Sequence, residues 1–242
     1  MEMPNNKKII VITGASKGLG RALATKLINP ESVLVLCARN VDKFRPVCAE
    51  IKKTKIECYW YKVDISHKKE ISGFIRKILK KFSKIDVMIN NAGATHKKKP
   101  IETISDKELD LCVKTNFNSV FYALREIIPA MKKRGAGTIV TISSTAGKRG
   151  NPDFAAYSAS KFAVTGLMQS AARYLDGSGV RCLTIFPSGI NTAMRKYILG
   201  AKDAQKQQSP ESAAEMIKKC IENPAEFPHG SEIVIRDSKI IN

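Results

Sequence analysis

The chain is short of acid, of long apolar runs and of anything that could gather a metal. Asp and Glu total 22 against 41 Lys and Arg in 242 residues, a formal net charge of +19. Apolar stretches such as residues 33–38 fall far short of the roughly 20 residues that span a bilayer, so no membrane helix is expected. Residues 1–8 read Met-Glu-Met-Pro-Asn-Asn-Lys-Lys, without the basic start, apolar middle and small-residue cleavage site of a secretory leader. A cytoplasmic location is the expectation. Cys37, Cys48, Cys58, Cys112, Cys182 and Cys220 include no C-x-x-C pair and read as reduced packing thiols. His67, His96 and His229 stand far apart with no partners at ligand spacing, so no metal site is expected.

What is present is globular. A hydrophobic share of 43% beside 26% charged residues excludes wholesale disorder. The length suits one α/β domain, residues 1–242, and no linker or repeat divides it. The excess of lysine is spread along helix-like segments as Lys52-Lys53, Lys68-Lys69, Lys80-Lys81, Lys132-Lys133 and Lys218-Lys219, with Lys97-Lys98-Lys99 the most localised cluster. Spread in this way it describes a solvated surface, and nucleic acid is not favoured as a partner.

Strand-like and helix-like segments alternate. Strands are expected at residues 7–13, 33–37, 56–63, 85–90, 138–143, 180–186 and 231–235. Helices are expected at 18–28, 42–53, 68–82, 105–133, 154–175 and 209–221. In 68–82 the apolar positions Ile71, Phe74, Ile75, Ile78 and Phe82 recur at three- and four-residue steps, an amphipathic helix. Ser209-Pro210-Glu211 supplies an N-cap, an N1 proline and an early acid. The alternation implies a Rossmann-like, doubly wound parallel sheet of about seven strands with helices on both faces. Residues 187–208 show no pattern, and a loop that long in a compact domain is usually a lid or binding loop, with about 190–208 the candidate substrate loop.

Residues 9–20 join a buried strand to Gly14-Ala15-Ser16-Lys17-Gly18-Leu19-Gly20 and a helix start. Glycines there let a pyrophosphate approach the backbone, and helix N-terminal N–H groups favour an anion. Gly14, Ser16, Lys17, Gly18, Leu19 and Gly20 are therefore candidate cofactor residues, although the spacing G-x-x-x-G-x-G departs from the commoner G-x-G-x-x-G. An NAD site usually places an acid after the second strand, about 20 residues on, to accept from the ribose 2′-OH. Here that strand ends in Arg39. With Lys17 it offers two cations to a 2′-phosphate, so NADP(H) is the expected cofactor.

Tyr157 and Lys161 stand one helical turn apart on one face. A phenol near pKa 10 is a poor acid or base at neutral pH, and an ammonium beside it should lower that value enough for general acid–base work. Ser143 and Ser144 end a strand, where α/β sheets place ligand groups.

Taken together, Thr13-Gly14-x-x-x-Gly18-x-Gly20, Asp64, Asn90-Asn91-Ala92-Gly93, Asn116, Ser144, Tyr157 and Lys161 resemble the short-chain dehydrogenase/reductase family in order and spacing over nearly the whole chain. The resemblance implies that Tyr157 donates a proton to a carbonyl oxygen held by Ser144 as NADPH delivers hydride. It implies that Lys161 lowers the tyrosine pKa and binds the nicotinamide ribose, and that Asn116 positions a water for proton relay. Asp64 and Ile65 would border the adenine. Asn91, Ala92 and Gly93 would lie beside the cofactor, with Asn91 open to a purely structural reading. Pro187, Gly189, Ile190 and Thr192 would flank the nicotinamide.

Two departures stand out: Pro187-Ser188-Gly189 shifts the family's usual Pro-Gly by one residue, and residues 236–242 lack its glycine-rich ending. A homo-oligomer is expected, a dimer or a tetramer, with the shortened ending weakening the tetramer contact. The substrate wall should come from residues 94–99, 146–154 and 190–208. A ketone or aldehyde reductase, with the reverse alcohol oxidation open to it, is the leading reading. A 3-oxoacyl-thioester reductase serving an acidic carrier protein is the runner-up. A non-catalytic nucleotide sensor or nucleic-acid binder on the same fold should show a damaged catalytic set, which this chain does not.

Overall fold

The computed structural model describes residues 7–40, 42–54 and 56–241. The N-terminal tail read above lies outside them, apart from Lys7 and Lys8. An eight-stranded sheet runs through the molecule in the order β3-β2-β1-β4-β5-β6-β7-β8. The strands are β1 (Lys8–Thr13), β2 (Ser32–Ala38), β3 (Glu57–Lys62), β4 (Val87–Asn90), β5 (Gly137–Ile142), β6 (Val180–Pro187), β7 (Glu232–Arg236) and β8 (Lys239–Ile241). Neighbouring strands pair in parallel from β3 to β7, and β8 returns antiparallel along β7. The seven expected strands are present. The eighth was missed because its three residues are too few to show a period.

Alternation along the central strands builds two cores. In β1 and β2, Ile10, Ile12, Leu34 and Leu36 pack on one face with α1 (Gly18–Lys26), α2 (Arg45–Lys52) and α9 (Pro210–Glu222). Ile9, Val11, Val33 and Val35 face the other way, onto α3 (Lys68–Phe82), α5 (Ser119–Arg134) and α6 (Ala155–Leu175). Strands covered on both faces read as continuous apolar runs, which is why residues 33–38 carry no polar alternation. Each fully buried Leu or Ile contributes about 1.5–3 kcal/mol.

The helix expected over residues 105–133 is not continuous. It forms α4 (Asp106–Val113), a π-helical turn at Lys114–Asn118 and then α5. The inward-facing positions Cys112, Thr115, Asn116, Ser119 and Val120 keep three- and four-residue steps through the turn, so spacing alone could not find the break. The unpatterned stretch after β6 holds two short helices, α7 (Ala193–Leu199) and α8 (Ala201–Gln205).

Where β6 begins, Gly179 has φ +75°, and a Cβ there would run into the Gly135 carbonyl oxygen. Gly179→Ala is expected to destabilise the fold by about 2 kcal/mol or more, read as a lower urea midpoint at unchanged m-value.

Candidate active site

The strand order reverses between β1 and β4, so their carboxyl ends diverge and open a crevice. A cleft of about 500 Å³ lies there. Its wall includes every residue named above as a cofactor candidate, together with Ser144, Tyr157 and Lys161. Asn116 is the exception: it is buried behind the wall.

At one end stands the glycine turn. Gly14 and Gly18 adopt φ of +68° and +54°, and a Cβ on Gly20 would meet the Gly14 carbonyl and the Asn91 amide. No acidic residue occupies the first turn of α1, and Lys17, its N-cap, makes no side-chain cap. The first N–H groups of the helix are thus left without side-chain acceptors, an arrangement suited to a phosphate. Asn91 holds the turn from behind. Its Nδ2 donates to the Thr13 carbonyl at 2.8 Å, and its backbone N–H donates to Thr13 Oγ1 at 3.1 Å. Asn91 thus braces the turn and also lines the cleft.

Beyond the turn, exposed Lys17 and Arg39 stand on the same wall as Asp64. Partial burial pushes the Asp64 carboxyl up. Hydrogen bonds from the Ser66 hydroxyl (2.7 Å) and N–H (3.0 Å), with the charge of Arg39, outweigh it and hold the carboxyl below its ordinary value.

At the other end Tyr157 and Lys161 project from α6. The Lys161 Nζ donates to the Ile142 carbonyl at 2.8 Å and lies 5.8 Å from the centroid of the Tyr157 ring. Burial lowers the ammonium pKa to about 8. Burial also raises the Tyr157 phenol; its hydrogen bond with Ser144 and the charge of Arg195 oppose this but do not overcome it. This corrects the expectation that the lysine depresses the phenol here. The ammonium is turned onto a backbone carbonyl, and loss of water around the hydroxyl dominates.

Asn116 sits in the π-helical turn with its amide fully engaged. Its Oδ1 accepts from the Ala94 N–H at 2.8 Å, while Nδ2 donates to the Ala94 carbonyl and to Ser160 Oγ, each at 2.8 Å. Ser160 Oγ donates onward to the Tyr157 carbonyl at 2.7 Å. The side chain is thus a brace between two walls of the cleft, which the one-residue reading as a water-positioning group did not foresee.

Sequence reasoning missed Ser160, and also Ser143, whose hydroxyl bonds the Lys161 carbonyl at 3.2 Å and Thr165 Oγ1 at 3.0 Å. Ser143 was noted only as a strand end. Both sit one residue before a named catalytic candidate, and that adjacency is the signal that could have found them.

Thr95, Ala146, Phe154, Met194, Ile198 and Leu199 complete the wall toward α7 and α8, drawn from the three expected segments. Arg195 also lines it, paired with Asp203 through Nη2–Oδ2 at 3.1 Å. Among the described residues no group of His, Cys, Asp or Glu could hold a metal, and no helix is long and apolar enough to cross a membrane. A shallow groove by His229 offers no free imidazole nitrogen: Nδ1 accepts from the Cys182 N–H, so Nε2–H donates to the Ala172 carbonyl.

The model of the short chain dehydrogenase family matches residues 8–203. The chain belongs to that family. A 3beta-hydroxysteroid dehydrogenase from Mediterraneibacter gnavus is 35% identical over 189 residues, covering 78% of this chain and 68% of that one. A crystal structure of a metagenomic short-chain oxidoreductase in complex with NADP is 32% identical with a TM-score of 0.79, over 95% and 96% of the two chains. A 3-ketoacyl-(acyl-carrier-protein) reductase from Brucella melitensis, complexed with NADH, is 26% identical with a TM-score of 0.84, over 94% and 96%. This short-chain dehydrogenase is thus an oxidoreductase acting on hydroxyl or carbonyl groups, of a fold whose solved neighbours bind NAD(P)(H).

The cleft of this dehydrogenase fits such a cofactor on its own chemistry, because the first N–H groups of α1 have no side-chain acceptor and the cations Lys17 and Arg39 line the same wall. Its shifted glycine also has a local cause. Gly189 lies flush beneath the Gln207 side chain, which a Cβ would displace.

In the cofactor-free protein the Lys161 Nζ is expected to titrate with a midpoint of about 8, read by NMR of lysine labelled at Cε. The unfolded lysine keeps its proton to about 10.4, so between the two values the unfolded chain binds more protons. This group therefore makes the fold more stable as pH rises through that window. A midpoint at the ordinary lysine value would show that the ammonium is hydrated.

Proposed function

We propose that the protein is an NADPH-dependent carbonyl reductase, with alcohol oxidation as the reverse. The observation that carries this is the grouping of Ser144, Tyr157 and Lys161 at one end of a cleft whose other end presents Lys17 and Arg39. NADPH, when bound, supplies the hydride. The glycine turn and the N-terminus of α1 would hold its pyrophosphate, Lys17 and Arg39 its 2′-phosphate, and Lys161 its nicotinamide ribose.

Ser144 Oγ, fixed by accepting the Ala146 N–H at 3.1 Å, donates to the substrate oxygen. The Tyr157 phenol, kept protonated by its burial, gives that oxygen the proton it needs as it becomes a hydroxyl. Turning the Lys161 ammonium toward the phenol would then stabilise the phenolate left behind. The intact set of Ser144, Tyr157, Lys161 and Asn116 separates this reading from a non-catalytic nucleotide sensor.

A second reading, reduction of a 3-oxoacyl thioester, is favoured by the Brucella melitensis neighbour and by a +19 surface that would attract an acidic carrier protein. The exposed Phe121 on α5 and Phe162 on α6 support a homo-oligomer, and the cytoplasm stays the expected compartment.

NADPH is expected to bind at least about tenfold more tightly than NADH, and Arg39→Asp to erase most of that difference. Fluorescence titration of both cofactors checks this, and equal affinities in the native protein overturn the cofactor assignment. Tyr157→Phe should lower turnover by about 10²–10⁴-fold while the NADPH dissociation constant stays within a small factor. Consumption of NADPH with cyclopentanone and an acetoacetyl thioester reads this, and retained turnover would place the proton donor elsewhere.

A further inference from the structure

The two departures from the family pattern, Ser188 after β6 and the altered chain end after β7, meet at one buried side chain. Gln208 closes the 190–208 segment and is 7% exposed. Its Nε2 lies 3.3 Å from Ser188 Oγ and 3.4 Å from the Ile235 carbonyl, and its Oε1 accepts from the Ser238 N–H at 3.0 Å. Ser238 can present that N–H because Asp237 and Ser238 take φ of +49° and +61°. That is the tight two-residue hairpin turn joining β7 to β8.

The backbone at the same place ties the segment's two ends together. Ile190 and Gln208 form a parallel bridge, and the Asn191 N–H donates to the Gln208 carbonyl at 2.9 Å. From this root Ile190 and Thr192 run along the cleft wall, with the Thr192 methyl against Gly18 of the glycine turn. The rest of the segment is held by little apolar burial: Ala204 is its one fully buried apolar side chain. A buried amide whose groups are satisfied in one place only fixes the backbone that carries it.

We propose that Gln208 is a positioning residue: it clasps the root of the 190–208 lid to the β7–β8 corner and so sets where Ile190 and Thr192 meet the cofactor and substrate. The effect on cofactor and turnover rests on the proposed NADPH site, whereas the clasp itself does not. Leucine is close to glutamine in volume and lacks its polar groups, so Gln208→Leu removes the clasp and keeps the packing.

In the Gln208→Leu protein, amides of residues 190–199 should exchange at least about tenfold faster, with α3 and α5 unchanged. The NADPH dissociation constant and KM should stay within about threefold, because the phosphate end is untouched, while the fluorescence of bound NADPH falls toward that of the free cofactor and kcat drops about tenfold. Ser188→Ala, which removes one bond, should move the same readouts less far.

Exchange at 190–199 within about twofold of native in folded Gln208→Leu overturns the proposal, and so does a lowered Tm with exchange raised evenly through the fold. If Gln208→Leu does not fold, Ser188→Ala and Gln208→Glu decide, and native exchange in both overturns it. A native protein that fails to bind NADPH would defeat the site reading alone, since the exchange measurement still judges the clasp.

Discussion

A single buried ammonium constrains one end of the cleft. Lys161 is 4% exposed, and its Nζ rests 2.8 Å from the Ile142 carbonyl at the end of β5. A charge taken out of water is tolerated only where polar partners replace the lost hydration. Here the partner is a strand-end carbonyl, so α6 must cross β5 with Lys161 above that end. The neighbouring contacts enforce the same crossing. Ser143 and Thr165 bond the Lys161 carbonyl, and Gly147 is glycine where a Cβ would run into Ser143 Oγ and the Lys161 backbone.

From that crossing the rest of this wall of the cleft takes its position. Tyr157 lies one turn earlier on α6, and its carbonyl receives Ser160 Oγ, which in turn receives the Asn116 amide. The π-helical turn at Lys114–Asn118 rotates Asn116 inward without ending the helix, as such turns often do at functional sites. The glycine end answers to a different constraint. It needs backbone free of side chains, and Asn91 secures it through hydrogen bonds to Thr13 and Gly14. One end is thus specified by side-chain chemistry and the other by the absence of side chains. Thr13 and Asn91, at the ends of β1 and β4, belong to the frame that joins them.

Sequence legibility followed the same division. Helix α3 (Lys68–Phe82) was legible at full length because its apolar positions from Ile71 to Phe82 keep a strong three- and four-residue period. The cleft wall was legible because strand ends and glycines are local signals. The π-helical turn was not, since its buried Thr115 and Asn116 keep the three- and four-residue steps of the helices on either side. Strand β8 was hidden by its length. The state of Tyr157 was misjudged for a physical reason: an i, i+4 pairing tells which face two residues share, but not that a carbonyl from a distant strand takes the ammonium. The Asn116–Ser160 brace spans 44 residues and lies beyond any local pattern.

The lid obeys weaker rules than the sheet beneath it. Along β1 and β2 nearly every side chain is buried, so a substitution there disturbs one or the other of the two cores. Along 190–208 the tip is held by polar and cation–aromatic contacts: Arg195 with Asp203, and Lys97 lying 5.1 Å above the Tyr197 ring. Contacts of this kind sit near solvent and individually contribute little to stability. Met194, Ile198 and Leu199 can therefore be exchanged for other shapes without threatening the fold. Ser144 and Tyr157 stay where Lys161 and β5 put them. On the proposed reductase reading, substrate choice would therefore rest on the face of α7 that lines the cleft, where shape can change while Tyr157 and Ser144 stay in place.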